Sequence, residues 1–422
     1  MHSVTNAIPT GTIASIPAKA HAHRALICAA LANSPSTILL SRTSKDIDAT
    51  MDSLRGLGAH VVYENKIVTV TPGPAPAKGN VVPHESGTTL RLLLPVASSI
   101  CNDVDVDAKG RLPDRPLEPM LGEMKAHGVT FSQDKPPFTM TGRLQGGNFS
   151  MVGDVSSQFF SGLLLAAPQI GLSTITSTTP LQSSDYVTLT TETMRDFGVE
   201  VEHTLPDTNI NEAFTVPFGA SFIGRDNYQI EGDWSNAAIW MVAAGMTGKP
   251  ITITGMNKNS VQADRRIMQV MIDAGCDVVW DGMNVTVTGR ASKPIHADLE
   301  QMPDMLPVMA ALACSISGES AFVKGARLRL KESDRLVAVA NLVRDLGGTV
   351  REEGDDLYII GSGILKGGHG DCVNDHRLVM AGTLMALISE NPVTLQDSEA
   401  ITKSYPDFFE DWNLLGGNAQ PL

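Results

Sequence analysis

A chain of 422 residues is too long for one compact core and predicts two domains. With 42% hydrophobic and 18% charged residues, its composition is that of an ordinary globular protein, which excludes disordered and membrane-embedded classes. The net charge of −14 argues against a nucleic-acid partner, because no basic stripe offsets it. Small anionic substrates remain compatible with this total if the cations are gathered in one place.

The apolar stretches, the N-terminal residues and the cysteines indicate where the protein is located and whether it binds metal. The most apolar stretch, 92–100, is shorter than the ~20 residues that span a bilayer, so we expect a buried segment there. The first residues lack the basic and apolar regions of a signal peptide. The five cysteines have no CxxC spacing, which predicts buried, reduced thiols and no zinc site. We therefore expect a cytoplasmic protein with no membrane association, no metal and no cofactor.

One pattern recurs six times at spacings of roughly 70 residues. An aspartate begins an amphipathic helix, a glycine ends it, and a β-branched strand follows, as expected for Asp N-caps and Gly C-caps. A more apolar helix precedes most copies, and two of these start alike, at 153–157 and 232–236. The six aspartates are Asp46, Asp114, Asp185, Asp264, Asp334 and Asp407.

The six copies predict an α/β fold of two lobes with three repeats each. Two lobes fit better than an open solenoid, because atypical capping repeats are missing. The polar stretch from Pro206 to Asp226 is predicted to mark the boundary, and a first strand from Val4 to Ile8 would complete the second lobe. The predicted domains are 16–227, and 228–422 together with 1–15.

The most unusual stretch runs from Leu328 to Arg335 and contains three cations and two acids. Apolar residues at helical spacing follow it, so Ser333 or Asp334 is the predicted N-cap. Cations beside a helix N-terminus suit an anionic ligand. For a single isolated cluster, a solvated loop would be the simpler interpretation.

Similar polar groups stand before other apolar helices. Gly87 lies between hydroxyls in a plausible phosphate cradle, whereas Asp304, taken alone, is better interpreted as an N-cap. Walker and Rossmann motifs are missing from the sequence, so side-chain cations and helix ends would have to hold any phosphate. Carboxylates would then move protons. The polar stretches are 19–24, 85–91, 111–116, 155–158, 183–186, 374–377 and 403–407.

In this order, these motifs resemble one family over essentially the full chain, EPSP synthase or 3-phosphoshikimate 1-carboxyvinyltransferase. The most specific matches are 331–335 and 375–377. The resemblance implies a two-lobed inverted α/β barrel, with three β-α-β-α-β-β repeats in each lobe. It also implies transfer of the enolpyruvyl group of phosphoenolpyruvate to the 5-hydroxyl of shikimate 3-phosphate in aromatic amino-acid biosynthesis. A monomer and a target of glyphosate are implied as well.

The resemblance also implies a role for individual residues. It assigns C3 proton transfer to Glu332 and the hydroxyl proton to Asp304, with Lys19 as a nearby cation; the two acids could be coupled or reversed. The 16–227 lobe would mainly bind shikimate 3-phosphate, and the other lobe would carry the acid–base groups and most of the phosphoenolpyruvate ligands. For shikimate 3-phosphate, the implied ligands are Arg24, Ser156, Ser157, Gln158, Ser183, Tyr186, Asp304 and Lys331. For phosphoenolpyruvate, they are Lys19, Gly87, Arg115, Gln158, Arg335, His376, Arg377 and Lys403.

Three positions depart from the family pattern: Ala20, Glu85 and Arg327. Ala20 replaces a usual Ser, and one lost hydrogen bond to a charged group would cost roughly 1.5–3 kcal/mol. The alternative enzyme is UDP-N-acetylglucosamine enolpyruvyl transferase, but its reactive Cys is missing from the 111–116 loop. A catalytically silent binding homologue and a purely structural repeat protein are the remaining alternatives.

Overall fold

The computed structural model describes residues 1–207 and 211–422. It divides into two compact units. We call Pro17–Ile230 the N-terminal unit, and Met1–Ile16 with Glu231–Leu422 the C-terminal unit. Each unit has its own buried apolar cluster.

The strands within the described ranges number twenty-four and are short. They are β1 (His2–Val4), β2 (Gly11–Ala14), β3 (Ser36–Leu39), β4 (His60–Glu64), β5 (Ile67–Thr71), β6 (Gly79–Val81), β7 (Asp103–Val106), β8 (Thr130–Phe131), β9 (Phe138–Thr141), β10 (Gly147–Met151), β11 (Ser173–Ser177), β12 (Glu202–Thr204), β13 (Glu212–Val216), β14 (Tyr228–Gln229), β15 (Ile251–Thr254), β16 (Asp277–Asp281), β17 (Asn284–Thr288), β18 (His296–Asp298), β19 (Gly318–Val323), β20 (Thr349–Glu353), β21 (Asp356–Gly361), β22 (Gly368–Asp371), β23 (Val393–Gln396) and β24 (Ala419–Pro421).

Helices alternate with these strands. The α-helices are α1 (Lys19–Ala30), α2 (Lys45–Gly56), α3 (Gly87–Ile100), α4 (Met120–Ala126), α5 (Ser157–Ile170), α6 (Asp185–Asp196), α7 (Trp234–Thr247), α8 (Ile267–Asp273), α9 (Leu306–Ser315), α10 (Arg335–Asp345), α11 (His376–Met385) and α12 (Phe408–Leu414). Short 3₁₀ turns lie at Leu112–Asp114, Ala263–Arg266, Pro303–Met305, Ala326–Leu330, Ala386–Ile388 and Ser398–Lys403.

The predicted sixfold repeat is confirmed by the sheets. The described strands form six four-stranded sheets, and each contains one parallel pair followed by two antiparallel pairs. For example, β10 pairs in parallel with β11, and β13 pairs antiparallel with both β11 and β12. This is the order expected of a β-α-β-α unit that ends in a hairpin.

Three strands join sheets far away in sequence. In the C-terminal unit β1 lies between β23 and β24, and β2 pairs with β15. In the N-terminal unit β14 pairs with β3, so 228–230 belong there and not with the second lobe as predicted. The predicted first strand at Val4 to Ile8 is also wrong, since β1 ends at Val4.

The stretch from Pro206 to Asp226 is not a boundary. It contains β13, whose Phe214 pairs with Ile175 of β11 inside the N-terminal unit. Residues 208–210 of this stretch lie outside the described residues. Polar composition misled the prediction because this hairpin carries its apolar side chains on one face only.

Of the two residues predicted to bound each amphipathic helix, the glycine at its end is confirmed in every repeat, and the aspartate cap at its start in only one. A glycine follows each amphipathic helix with φ between +86° and +105°, at Gly58, Gly128, Gly198, Gly275, Gly347 and Gly416. The predicted aspartate N-cap makes its capping bond only at Asp334. Ser44 caps α2 instead of Asp46, and Asp264 lies in the 3₁₀ turn before α8. Other polar side chains near a helix start compete with the aspartate for the free backbone N–H groups, as Ser44 does at α2.

The predicted apolar helices are confirmed. Helix α1 begins at Lys19, and α3 contains the buried 92–100 segment. All five cysteines are buried thiols without disulfides. A search of the described residues finds no helix that is both long and apolar enough to cross a bilayer.

Candidate active site

In the C-terminal unit, one guanidinium organises the charged loop. Arg335 is 1% exposed and begins α10. Its Nη1 donates to Asp304 Oδ1 at 2.6 Å, its Nη2 to Glu332 Oε2 at 2.6 Å and its Nε to Asp375 Oδ2 at 2.8 Å. Such charge-assisted bonds are short and directional, so they fix the guanidinium plane. We call Asp304, Lys331, Glu332, Arg335 and Asp375 the arginine cluster.

Local structure explains how the loop delivers these groups. The carboxylate of Asp334 accepts from the backbone N–H of Val337 at 3.3 Å, so Asp334 is the N-cap of α10. Ser333 instead donates to Asp375 Oδ2 at 3.0 Å. The N-cap interpretation of Asp304 is wrong, because Met305 occupies that position before α9. The carboxylate of Asp304 is thereby available to the cations of the loop.

The cluster sets the charge of its members. Burial alone would raise the pKa of Asp304, but Lys331, Arg335 and Arg377 hold it well below its usual range. Burial lowers the pKa of Lys331, although Asp304, 3.2 Å from its Nζ, opposes that shift. Burial would also lower the pKa of Arg335, but its carboxylate neighbours raise it. Asp304 is therefore a carboxylate, and Arg335 a fixed cation, at neutral pH.

The start of α11 connects to the arginine cluster through Asp375. This fully buried carboxylate caps α11 by accepting from the backbone N–H of Arg377 at 3.0 Å. His376 is buried, with its Nδ1 3.9 Å from Asp375 Oδ1. The Nζ of Lys403 donates to the carbonyl of Asn374 at 2.7 Å. The structure thus brings three of the predicted phosphoenolpyruvate ligands to one helix start.

In the N-terminal unit, the start of α1 carries one ion pair. Lys19 Nζ lies 2.8 Å from Asp46 Oδ2, and both side chains are mostly buried. Arg24 is 1% exposed and donates to Thr190 Oγ1 at 2.7 Å and to the carbonyl of Tyr186 at 3.0 Å. Burial lowers the pKa of Arg24 to about 10. In this conformation, Arg24 joins α1 to α6, and Lys19 lies nearer the surface.

A hydrogen-bond network centred on the neutral amide of Gln158 lies at the start of α5. We call Thr88, Arg91, Ser156, Ser157 and Gln158 the amide cluster. Ser156 caps α5, accepting from the N–H of Gln158 at 3.3 Å, and Ser157 is the first helical residue. Arg91 Nη1 donates to Gln158 Oε1 at 3.0 Å, and Gln158 Nε2 donates to Thr88 Oγ1 at 2.9 Å. The amide orientation of Gln158 is thereby fixed.

The predicted cradle around Gly87 lies next to Arg115. Ser86 is the N-cap of α3, and Gly87 is its first helical residue. A Cβ on Gly87 would lie 2.6 Å from Arg115 Nη1. The missing side chain therefore lets the guanidinium approach the backbone at a helix N-terminus, where an anion is favoured.

The remaining predicted ligands, Ser183 and Tyr186, lie at the start of α6. Ser183 is 2% exposed and has a φ of 54°, an uncommon conformation for a residue with a side chain. The N–H of half-buried Tyr186 donates to the carbonyl of Ser183 at 3.1 Å. These two residues therefore belong to one turn.

Sequence reasoning missed three residues that hold the predicted ligands. They are Asp375, which binds Arg335; Asp46, which binds Lys19; and Arg91, which binds Gln158. An aspartate directly before an apolar helix signals a cap, but the sequence contains no signal for a contact that joins Asp375 to a residue forty positions earlier.

The departures from the family pattern have local contacts. The carbonyl of Ala20 accepts from Arg24 Nη1 at 2.7 Å, which any side chain at that position allows. A Cβ on Gly110 would meet the carboxylate of Glu85 at 2.8 Å. Arg327 lowers the pKa of Lys331, after burial and against Asp304. Within 1–207 and 211–422, no group of three or more His, Cys, Asp or Glu residues could hold a metal ion.

Comparison with known proteins identifies the fold and the family. The family model described as EPSP synthase (3-phosphoshikimate 1-carboxyvinyltransferase) matches residues 7–412. A Clostridium kluyveri protein named 3-phosphoshikimate 1-carboxyvinyltransferase is 35% identical over 412 residues, covering 96% of this chain and 95% of that protein. One of the same name from Methanocorpusculum labreanum is 34% identical over 417 residues, covering 97% of each.

Solved structures agree on the fold. The Acinetobacter baumannii EPSP synthase structure at 2.37 Å superimposes with a TM-score of 0.81 at 23% identity, covering 100% of this chain and 99% of that one. The two-unit α/β fold of six repeats predicted from the sequence is therefore confirmed. Because the family model spans nearly the whole chain and the relatives match end to end, the chain belongs to the EPSP synthase (3-phosphoshikimate 1-carboxyvinyltransferase) family.

Proposed function

We propose that the chain transfers the enolpyruvyl group of phosphoenolpyruvate to the 5-hydroxyl of shikimate 3-phosphate through the residues described above. The observation that carries this proposal is the arginine cluster. Two carboxylates, Asp304 and Glu332, flank one buried guanidinium, Arg335, at 2.6 Å each. This arrangement offers two proton-transfer groups next to a fixed countercharge for an anionic substrate.

The substrate ligands in this proposal follow the charge of each substrate. Phosphoenolpyruvate is bound mainly by cations, namely Lys19, Arg115, Arg335, Arg377 and Lys403, with Gly87, Gln158 and His376 completing the set. Shikimate 3-phosphate is bound by the hydroxyl and amide groups of Ser156, Ser157, Gln158, Ser183 and Tyr186, with Arg24, Asp304 and Lys331. Buried hydroxyls and amides suit a polyol, because an analogue lacking a hydroxyl would leave them unpaired.

The reaction proceeds by addition and elimination. The 5-hydroxyl oxygen bonds to C2 of phosphoenolpyruvate while C3 takes a proton, giving a tetrahedral phospho-ketal. Loss of a C3 proton and cleavage of the C2–O bond to phosphate then leave the enol ether and inorganic phosphate. We assign the C3 proton to Glu332 and the hydroxyl proton to Asp304, with Lys19 as the cation near the hydroxyl and the departing phosphate.

The low pKa of Asp304 bears on that assignment. Without substrate, Lys331, Arg335 and Arg377 make its carboxylate a weak base, against the effect of burial. Anionic substrates that engage the same cations neutralise part of their field, which raises the pKa of Asp304. Asp304 therefore becomes a competent base in the complex that needs one.

A phosphate-release assay tests the function. Purified protein receives phosphoenolpyruvate with shikimate 3-phosphate or, separately, with UDP-N-acetylglucosamine. We expect release with the first acceptor only, reduced about 10²–10⁴-fold in Glu332→Gln because an amide cannot transfer the proton. Glu300→Gln is the matched control, since that carboxylate binds Lys324 at the surface at 3.2 Å.

Each other outcome contradicts a specific part. Release with the nucleotide sugar would identify the other enolpyruvyl transferase activity. Binding of shikimate 3-phosphate in calorimetry without phosphate release would identify a catalytically silent homologue. Undiminished release by Glu332→Gln would remove Glu332 from the chemistry.

The proposal includes a monomer in the cytoplasm. Every residue assigned to the two substrates comes from one chain, and all five cysteines are buried thiols, as suits a reducing compartment. Light scattering during gel filtration measures the oligomeric state directly, and a dimer would contradict this part of the proposal.

A further inference from the structure

Asp264 is a buried carboxyl group that the proposed reaction does not use. It lies in the 3₁₀ turn Ala263–Arg266 and is 1% exposed. Its Oδ2 accepts a hydrogen bond from Ser235 Oγ in the first turn of α7, and its Oδ1 bonds to no residue in 1–207 or 211–422. Burying a carboxyl group is costly, so a position like this one needs an explanation in the surrounding structure.

Ser235 links this carboxyl to a predicted phosphoenolpyruvate ligand. The carbonyl of Ser235 accepts from Arg377 Nη1 at 3.0 Å. Arg377 is 4% exposed, and its Nε makes no bond to the described part of the chain. The neighbouring Asn236 is 2% exposed, and neither of its amide atoms bonds to a described residue. Buried polar groups are normally paired, so Arg377 and Asn236 retain bonding capacity that a bound anion can use.

The repeat gives this arrangement a counterpart. Asp264 and Asp46 are the aspartates of the first repeat in each unit. Asp46 binds Lys19 at the start of α1, and Asp264 binds Ser235 at the start of α7. In both units, a buried aspartate therefore fixes the start of the first apolar helix, which bears or contacts a cation predicted to bind phosphoenolpyruvate.

We propose that Asp264 is a positioning residue that holds Arg377 for phosphoenolpyruvate through the hydroxyl and carbonyl of Ser235. This inference rests on the proposed function, which assigns Arg377 to that substrate. The groups whose charge acts on Asp264 are Asp304 and Asp233, which are negative, and Arg377, which is positive. Asp264 binds the hydroxyl of Ser235 at the start of α7, and the carbonyl of the same residue binds the guanidinium of Arg377.

Protonation gives the proposal an independent readout. Burial, then Asp304, raises the pKa of Asp264 to about 6, against the effects of Arg377 and the bond from Ser235. Above that pH, the ionised carboxyl attracts Arg377 and repels the substrate. We expect the KM for phosphoenolpyruvate to rise as the pH increases through about 6, and this rise to be missing in Asp264→Asn.

Three variants test the route. Asp264→Ala should raise the KM for phosphoenolpyruvate about tenfold while the KM for shikimate 3-phosphate stays within about twofold. Below about pH 6, where the wild-type carboxyl is protonated, Asp264→Asn keeps an oxygen acceptor for Ser235 Oγ and should restore most of the affinity lost in Asp264→Ala. Ser235→Ala, which keeps the carbonyl, should reproduce part of the loss even if Asp264→Ala does not fold. Asp298→Asn, at an exposed carboxylate 2.6 Å from Lys324 Nζ, is the control and should change neither KM.

Two results would overturn the proposal. One is an unchanged KM for phosphoenolpyruvate in both Asp264→Ala and Ser235→Ala. The other is an equal rise of both KM values that follows the loss of thermal stability, with no rescue by Asp264→Asn, which indicates a merely structural role. Failure of the proposed function is distinguished from both, because the wild-type protein would then release no phosphate at all.

Discussion

The amide cluster and the arginine cluster solve the same task, fixing polar groups at a helix start, with different chemistry. In the amide cluster, Gln158 is held by bonds to Arg91 and Thr88, and its own side chain is neutral. In the arginine cluster, Arg335 faces three carboxylates, one of which, Asp375, is fully buried. A hydrogen-bonded amide is held in one orientation at modest energy, whereas a buried ion is strongly destabilising once its partner is lost.

The largest effect is expected from Asp375→Ala. This change removes one of the negative charges that pair with the buried Arg335, and it removes the cap of α11. The free energy of unfolding should therefore fall by roughly 3–5 kcal/mol. All four tryptophans lie in the C-terminal unit, so their fluorescence during denaturant unfolding reports on it. Asp334→Ala, which removes a half-buried cap from α10, should cost only about 1 kcal/mol. Equal losses of stability in the two variants would contradict the role of Asp375 as the buried partner of Arg335.

Mild acid should change the stability of the two units in opposite directions through these two buried groups, His21 and Asp264. Burial lowers the pKa of His21 to about 4, so between pH 6.5 and 4 the unfolded chain binds a proton that the folded N-terminal unit does not. Stability from His21 is therefore lost as the pH falls. Burial raises the pKa of Asp264 to about 6, so the folded C-terminal unit binds the extra proton and gains stability from this group as the pH falls.

Hydrogen exchange measured peptide by peptide checks this contrast. Lowering the pH from 6.5 towards 4 should weaken protection of the 17–230 peptides more than that of the 231–422 peptides, after correction for intrinsic exchange rates. His21→Gln should reduce the loss in the first set, and Asp264→Asn should remove its contribution to the second. Parallel loss in both sets, unaffected by either variant, would contradict the assignment.

A smaller effect is expected from Arg91→Met in the amide cluster. Gln158 loses a bond to a charged donor, which is worth roughly 1.5–3 kcal/mol, and its amide is no longer fixed. The rise in the KM for shikimate 3-phosphate, expressed as a free energy, should exceed the fall in the free energy of unfolding. Arg143→Met, which removes bonds to the carbonyls of Ile100 and Ser99, is the control that should leave both KM values unchanged.

The smallest effect is expected from Gly87→Ala. The new Cβ would lie 2.6 Å from Arg115 Nη1, and the guanidinium can move away because it ends a flexible side chain. We expect the KM for phosphoenolpyruvate to rise about tenfold, or about 1.4 kcal/mol, with little change in stability. Gly122→Ala, whose Cβ meets only Glu118 Oε2 at 3.1 Å, should leave the KM unchanged.

The sequence predicted what is encoded locally. Helix periodicity found α5 and α7, and the glycine after each amphipathic helix marked a left-handed residue in all six repeats. The charged stretch 328–335 predicted an anion site because its cations stand beside a helix N-terminus. Local patterns could not reveal that β1, β2 and β14 pair with strands far away in the chain.

The prediction of the site was limited in the same way, because local motifs do not encode contacts between distant segments. The types and order of the predicted ligands come from the motifs, but which carboxylate binds which cation depends on contacts between distant segments. Asp375 and Arg335 are one example, and Asp46 and Lys19 are another, separated by twenty-seven positions. Arg24 illustrates the reverse case: its sequence position suggested a ligand, and its bonds to Thr190 and Tyr186 are visible only in the folded chain.

The most direct test of the central claim is deuterium incorporation at C3 during turnover in heavy water. The purified protein is given phosphoenolpyruvate and shikimate 3-phosphate, and mass spectrometry measures the label in the product and in the remaining phosphoenolpyruvate. We predict label at C3 in the wild-type protein, because the proton added there comes from an exchangeable acid. In Glu332→Gln, label and product should both form about 10²–10⁴-fold more slowly. Product that forms at the wild-type rate without label would contradict protonation at C3, and with it the role proposed for the arginine cluster.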